Sequence, residues 1–256
     1  MMKKLLFLLL AAVTLAACGN GATADTPKTI TIGMDETFAP MGFLDDNNEV
    51  VGFDVDLAKE TLSRLGYEVE FQSIDWAMKE TELNTNNIDL IWNGYAVTPE
   101  RAEKVLLSEP YLSATQAIFV LKDSPIQTKS DLAGKVLSTQ QSSSSIDKIK
   151  EDASGIYEKL SGELVLYPSN NNSFMDLEAG RVDAIVVGST YGRYYVKEAG
   201  KEAVFRVLEE DFGEDKMAVA LRKEDTELKK EIDATIKEIK ADGTYDDIYD
   251  KWFFSE

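Results

Sequence analysis

The residue with the most chemical potential in this sequence is an arginine at an unfavourable helix position. Thr98-Pro99-Glu100-Arg101 has the composition of a helix start. Thr98 can cap, Pro99 suits the first turn, and Glu100 favours the positive end of the helix dipole. A cation in that first turn opposes the dipole by roughly 0.3–1 kcal/mol. Either Arg101 is a tolerated surface charge, or its planar fork is kept there to take a carboxylate through two charge-assisted hydrogen bonds. Phe38 and Trp76 each stand near the end of an early strand and are either core aromatics or the walls of a cleft. Asp35 either caps a turn or hydrogen-bonds a ligand. The run Gln140-Gln141-Ser142-Ser143-Ser144-Ser145 lies between a strand and a helix. It reads as a flexible low-complexity loop or as a nest of hydroxyls and amides suited to an anion.

Other chemistry is excluded by composition. There is no histidine, and Cys18 is the only cysteine. Ser-His and Cys-His catalysis, thiolate zinc sites, imidazole ligation and intramolecular disulfides are therefore out of reach. A metal would need oxygen ligands. Asp45-Asp46-Asn47-Asn48-Glu49 invites calcium, but Val50 stands where such a loop needs glycine, so a polar hairpin turn is expected and no metal or cofactor. The formal net charge of −19 repels nucleic acid and anionic lipid, so no nucleic-acid partner is expected.

The elements that must position these residues follow from periodicity. Alternation at 29–32 and 67–71 reads as two strands. Between them, Val55, Ala58, Leu62 and Leu65 fall at helical spacing, with Asp54 as a cap and Gly66 as a stop. A short helix at 77–84 and a strand at 89–92 complete a strand–helix–strand–helix–strand unit, which predicts a parallel sheet with helices on its faces. A second set follows. Strands are expected at 117–121, 135–139, 163–167 and 183–187, with a helix capped by Asn172 or Ser173 and stopped at Gly180, and a helix at 191–199. After a short apolar stretch at 217–220, Leu228, Ile232, Ile236 and Ile239 share one face of a helix, and Asp242-Gly243 separates it from a last short one. A helix, a polar turn and a buried strand ending in glycine occur twice, up to Gly94 and up to Gly188. Two α/β lobes of related build would enclose a cleft at their strand ends.

The N-terminus carries a different signal. Met1-Met2-Lys3-Lys4 precedes an uncharged apolar run at 5–17, too short for a spanning helix, which needs roughly 20 residues. This is a signal-peptide pattern. Leu15-Ala16-Ala17-Cys18 resembles the lipobox of bacterial lipoproteins, which implies cleavage before Cys18, acylation there, and anchoring to the extracytoplasmic face of the cell membrane. Residues 19–28 read as a flexible tether.

Three longer stretches support a wider resemblance. They are Gly52-Phe53-Asp54-Val55-Asp56-Leu57-Ala58, then Thr98-Pro99-Glu100-Arg101 with Ser108-Glu109-Pro110-Tyr111, and finally Asp242-Gly243-Thr244-Tyr245 leading to Lys251-Trp252-Phe253. Over nearly all of 29–256 the sequence is similar to the polar amino-acid-binding proteins of bacterial ABC importers, the family 3 extracellular solute-binding proteins. The resemblance implies a two-lobed α/β fold of the type II periplasmic-binding-protein kind, with two hinge crossings and the ligand in the interlobe cleft. It implies a first lobe of about 28–114 plus 209–256 and a second of about 115–208. Arg101 matches the carboxylate-binding arginine, Ala96 a nearby backbone donor, and Phe38 and Trp76 the aromatic sandwich. Asp35 matches the acidic probe of the ligand side chain, Ser143 and Ser144 the closing amides, and Asn93 and Gly94 backbone facing the ammonium. One position departs: Gly188 stands where the family usually has an aspartate for the α-ammonium. Asp35 or Glu36 could take over, water could fill the gap, or the ligand could lack a standard α-amino group.

The resulting expectation is a monomeric lipoprotein that captures a small polar amino acid, glutamine-, cystine- or basic-amino-acid-like, and delivers it to an ABC permease. Two other classes stand beside it. One is an enzyme on the same fold, of the cyclohexadienyl dehydratase kind, for which Glu36 is the one candidate acid or base. The other is a sensor that docks on a receptor.

Overall fold

The structure is a computed structural model that describes residues 28–253. Residues 1–27, with the expected signal peptide, Cys18 and most of the expected tether, lie outside the described residues. Among the described residues no helix is long and apolar enough to cross a membrane.

Two five-stranded sheets organise the chain. In the first, Thr29–Met34 lies between the parallel strands Glu68–Ser73 and Leu90–Ile91. Ala220–Leu221 runs antiparallel to Leu90–Ile91 and to Leu106–Leu107 at the edge. In the second, Leu137–Gln140 sits between parallel Val165–Tyr167 and Ala184–Gly188. Leu112–Leu121 joins antiparallel, and Phe205–Met217 forms the edge beyond it. The expected parallel units are present, but both sheets are mixed. Each expected lobe boundary, after 114 and before 209, falls inside one of the two long antiparallel strands that connect the lobes.

Local sequence explains most elements. The helix Phe53–Arg64 buries Phe53, Leu57, Ala58 and Leu62 against the first sheet. It starts one residue before the expected cap: Gly52 is the N-cap, at φ 142°, and a Cβ there would meet the Met41 carbonyl at 2.3 Å. Asp54 is buried instead of capping. Ser169 caps the helix Asn170–Glu178 by accepting a hydrogen bond from the Asn172 amide, so the cap expected at Asn172 or Ser173 lies three or four residues earlier. The acidic run at 45–49 is the expected hairpin turn. Asp45 accepts from the Asn47 and Glu49 amides, and Gly42–Leu44 pairs with Val50–Val51.

The C-terminal helices Thr226–Ala241 and Thr244–Phe253 return to the first lobe, where Ile232, Ile236 and Ile239 enter its core. Full burial of each stabilises by roughly 1.5–3 kcal/mol. Three separate motifs meet there. Asp56 accepts from Lys251 Nζ at 2.6 Å and Trp252 Nε1 at 2.8 Å, Arg64 donates to Asp242 and Thr244, and the Tyr245 hydroxyl donates to the Tyr111 carbonyl.

Asp54 is the most demanding group in this lobe. Its Oδ2 accepts the Gly94 amide at 2.6 Å, while Oδ1 and the Tyr111 hydroxyl have no hydrogen bond of normal geometry. Burial pushes its carboxyl up to about 7, against smaller opposing pulls from Tyr111 and the Gly94 amide. The folded state therefore binds a proton that the unfolded state has released between about pH 4 and 7, and stability falls as pH rises through that window. The loss is a few kcal/mol at most, at about 1.36 kcal/mol per pH unit. Urea melts from pH 5 to 8 should show this slope in the native chain. Asp54→Asn should flatten it and melt at least as high at pH 8; an unchanged slope would refute the assignment.

Candidate functional site

A cleft lies between the two lobes, and all ten residues expected at the site line it. The first lobe contributes the C-terminal ends of its central strands. Asp35 follows Thr29–Met34, and its amide donates to Asn93 Oδ1, which follows Leu90–Ile91. Gly94 comes next at φ 60°, and a Cβ there would sit 2.6 Å from Phe38. Glycine thus lets the backbone pass under the Phe38 ring. Phe38 stacks in turn on Tyr191 of the second lobe, with centroids 5.1 Å apart and planes within 8°.

Arg101 is positioned by its helix start. The Thr98 hydroxyl accepts the Arg101 amide at 3.2 Å, which opens the helix Pro99–Lys104. The side chain is only 7% exposed. Nη1 donates to the Ala96 carbonyl at 2.9 Å and Nη2 to the Ser142 carbonyl, across the cleft, at 3.0 Å. The guanidinium lies 4.4 Å from the Tyr95 ring centroid. Among the described residues no carboxylate forms an ion pair with it. A guanidinium has five N–H donors, and a buried cation left without an anion is costly.

A second cation stands beside it. Lys79 is 2% exposed. Its ammonium donates to the Trp76 carbonyl at 3.0 Å and to the same Ser142 carbonyl at 3.3 Å, and lies 5.0 Å from the Trp76 ring centroid. Burial and the Arg101 charge bring its pKa down to about 8, while Glu80, 3.4 Å away, partly restores it. The Tyr95 hydroxyl holds Glu80 at 2.9 Å. Ser142 adopts a left-handed φ of 54°, uncommon for a non-glycine residue, as it presents its carbonyl to both cations.

The second-lobe loop is ordered by side-chain bonds. Gln140 Nε2 donates across the cleft to Asp35 Oδ2 at 2.7 Å, and its Oε1 accepts from Asn170 at 3.0 Å. The other Asp35 oxygen accepts the Thr37 amide and hydroxyl. Ser143 bonds Thr139, and the Ser144 hydroxyl donates to Asp215 at 2.6 Å. Ser145 donates to Gln116, whose amide donates to Asp215 at 2.8 Å. The loop is thus a polar wall and not a low-complexity linker.

Gly188 ends its strand at the cleft, and a Cβ added there would meet no atom within 4 Å. Glu36 is not on the cleft; it lines a separate hollow with Phe43 and Tyr194. Sequence reasoning passed over Gln116, Asn170 and Asp215, which also line the cleft. Asn170 precedes the expected helix cap and carried no signal of its own, and Asp215 is hidden in an acidic stretch that reads as solvated.

This arrangement has close parallels. The profile of the bacterial extracellular solute-binding proteins, family 3, matches residues 30–255. The arginine-binding extracellular protein of Bacillus subtilis is 33% identical over all of both chains. A histidine-bound substrate-binding protein of an ABC uptake transporter from Streptococcus pneumoniae superposes with a TM-score of 0.85 at 36% identity, covering 89% of this chain and 93% of that one. An ancestral amino-acid-binding protein described as a precursor of cyclohexadienyl dehydratase gives 0.79 at 35% identity, over 88% and 95%. With a two-lobed fold, an interlobe cleft and a match along almost its whole described length, the chain belongs to the bacterial extracellular solute-binding proteins of family 3.

Proposed function

We propose that this chain is a lipid-anchored extracytoplasmic receptor that captures a polar amino acid, of the glutamine, cystine or basic class, and hands it to an ABC permease. The observation that carries the reading is Arg101, a buried guanidinium with carbonyl and aromatic neighbours and no carboxylate partner. A ligand carboxylate completes it. Phe38 and Trp76 form the ligand's walls, and Asp35 reads its side chain. Ala96, Ser143 and Ser144 supply polar backbone around the carboxylate, and Asn93, Gly94 and Gly188 lie where the ammonium sits. The lobes divide at about 28–114 with 209–256, and 115–208. A micromolar affinity requires about −8 kcal/mol, within reach of one ion pair, two ring faces and a few amides.

Binding is favoured over catalysis by the position of Glu36, which lines a different hollow from Arg101. The cleft then lacks the one acid or base that the sequence offered for elimination chemistry.

A calorimetric panel of L-arginine, L-histidine, L-glutamine and L-cystine tests this reading. At least one should bind, and Arg101→Ala should weaken it by at least about 30-fold, the cost of stripping one partner from a buried charge pair. Arg101→Lys should recover little, because one ammonium cannot replace a bidentate fork. Absence of binding by all four, or full binding by Arg101→Ala, refutes the assignment. For the anchor, Cys18→Ser should move the protein from the membrane fraction to the soluble one. Mass spectrometry of the native chain should find Cys18 acylated; an unmodified thiol at the membrane overturns that part.

A further inference from the structure

The cleft contains a carboxylate in a position that neither the resemblance nor the periodicity pointed to. Asp215 is 2% exposed and lines the same cavity as Arg101 and Gly188. Its Oδ2 accepts from Gln116 Nε2 and from the Ser144 hydroxyl, both neutral donors. Its Oδ1 has one cation nearby, Lys148 at 3.4 Å, whose ammonium donates to the Glu214 carbonyl at 2.8 Å.

Two independent paths connect Asp215 to the residues around the expected ammonium site. The first runs through Gly188. In the second sheet Gly188 pairs directly with Gln116, and the Gln116 side chain bonds Asp215. The carboxylate is thus one side chain away from the strand end that lacks one. The second path runs through Arg101. Its Nη1 is held by the Ala96 carbonyl, Ala96 bridges to Met217, and Val97 donates to Lys216, so the return strand meets the segment that holds Arg101 one and two residues after Asp215. On the other side, Arg101 reaches Ser142 while Asp215 holds Ser144.

In an α-amino acid the ammonium and carboxylate share one carbon. A group that pairs the ammonium must therefore stand beside the group that pairs the carboxylate. Asp215 lines the same cleft as Arg101 and is joined to it through the Ser142–Ser144 loop. Asp35 accepts from Thr37 and from Gln140 of the Gln140–Asn170 amide pair, and is the group assigned above to the ligand side chain.

Resting on the amino-acid reading above, we infer that Asp215 pairs the ligand's α-ammonium in place of the absent side chain at position 188. The ligand class follows: a free α-amino acid, with N-acylated and 2-oxo acids excluded. The open space at Gly188 is room for the ammonium to lean toward Asp215.

The test compares ligands that differ only in the amino group: L-arginine with 5-guanidinopentanoate, L-glutamine with 5-amino-5-oxopentanoate, and L-histidine with 3-(imidazol-4-yl)propanoate. The native chain should prefer the amino acid of a bound pair by at least about 30-fold, as expected for a buried charge pair. Asp215→Asn keeps the size and the acceptor for Ser144. It should reduce that ratio to within about threefold, with affinity for the desamino analogue unchanged. Adding Gly188→Asp to Asp215→Asn should restore the preference, since a Cβ at 188 has space. Lys148→Met removes a competing cation from a partly exposed position and should raise the ratio, which keeps the test decisive if Asp215→Asn does not fold. A ratio near one in the native chain, or a ratio unmoved by both variants, overturns the inference alone. Failure of every pair to bind overturns the amino-acid reading and the inference with it.

Discussion

A buried guanidinium without a carboxylate beside it is the constraint on which the rest of the molecule depends. Removing such a charge from water costs several kcal/mol even after relaxation. The fold offsets the cost with two carbonyls and one aromatic face, and leaves the remaining donors without a carboxylate among the described residues. Each of those supports is fixed from elsewhere. The Ala96 carbonyl is held because its strand bridges to Met217, so the returning strand sets the position of Arg101. The Tyr95 ring is held by Glu80 through its hydroxyl and lies edge-on to Trp76. The Thr98 cap fixes where the helix starts, and therefore which residue points into the cleft. The unfavourable dipole position of Arg101 is a small cost beside the geometry it secures.

Buried carboxylates hold the opposite side of the site. Asp54 takes the Gly94 amide and so keeps Gly94 in the left-handed turn that lets Phe38 lie against the backbone. Two residues on, Asp56 reaches the C-terminal helix. One short motif therefore fixes the cleft floor with one aspartate and closes the first lobe with the other. This explains why stretches so far apart in sequence as 52–58 and 242–253 carry the resemblance together: they are contact partners.

Much of this was readable in the residues. The Thr98-Pro99 helix start, the hairpin at 45–49 and the apolar face from Leu228 to Ile239 follow from short-range rules, and the structure places them accordingly. Failures occurred where tertiary context overrides local chemistry. Asp54 has the composition of a cap, but it is buried as an acceptor for a residue forty positions away. The strand Phe205–Met217 was not anticipated because Glu209, Glu210, Asp211, Glu214 and Asp215 read as a solvated run. It tolerates them because it is an edge strand with two register shifts, which turn most of those side chains outward. Asp215 is the exception that turns inward, and periodicity cannot distinguish it from its exposed neighbours. Gln116, in the middle of an apolar strand, reads as a defect until its bonds to Asp215 and Ser145 are seen.

The groups proposed to read a ligand also join the lobes. Arg101 and Lys79 both donate to the Ser142 carbonyl, Asp35 accepts from Gln140, and Asp75 accepts from Gln141 at 3.3 Å. These four ties all end on residues 140–142. Each hydrogen bond of this kind contributes about 0.5–1.5 kcal/mol net, somewhat more where a charge is involved. Together they hold the closed form only modestly, against the solvation these polar groups recover when the lobes part. A carboxylate between Arg101 and the second-lobe amides adds a term that exists in the closed form alone. A ligand shifts a conformational equilibrium by no more than its differential affinity for the two states. Because Arg101 is held in the first lobe by Ala96, the differential part of a carboxylate's binding energy is the part that the second lobe supplies.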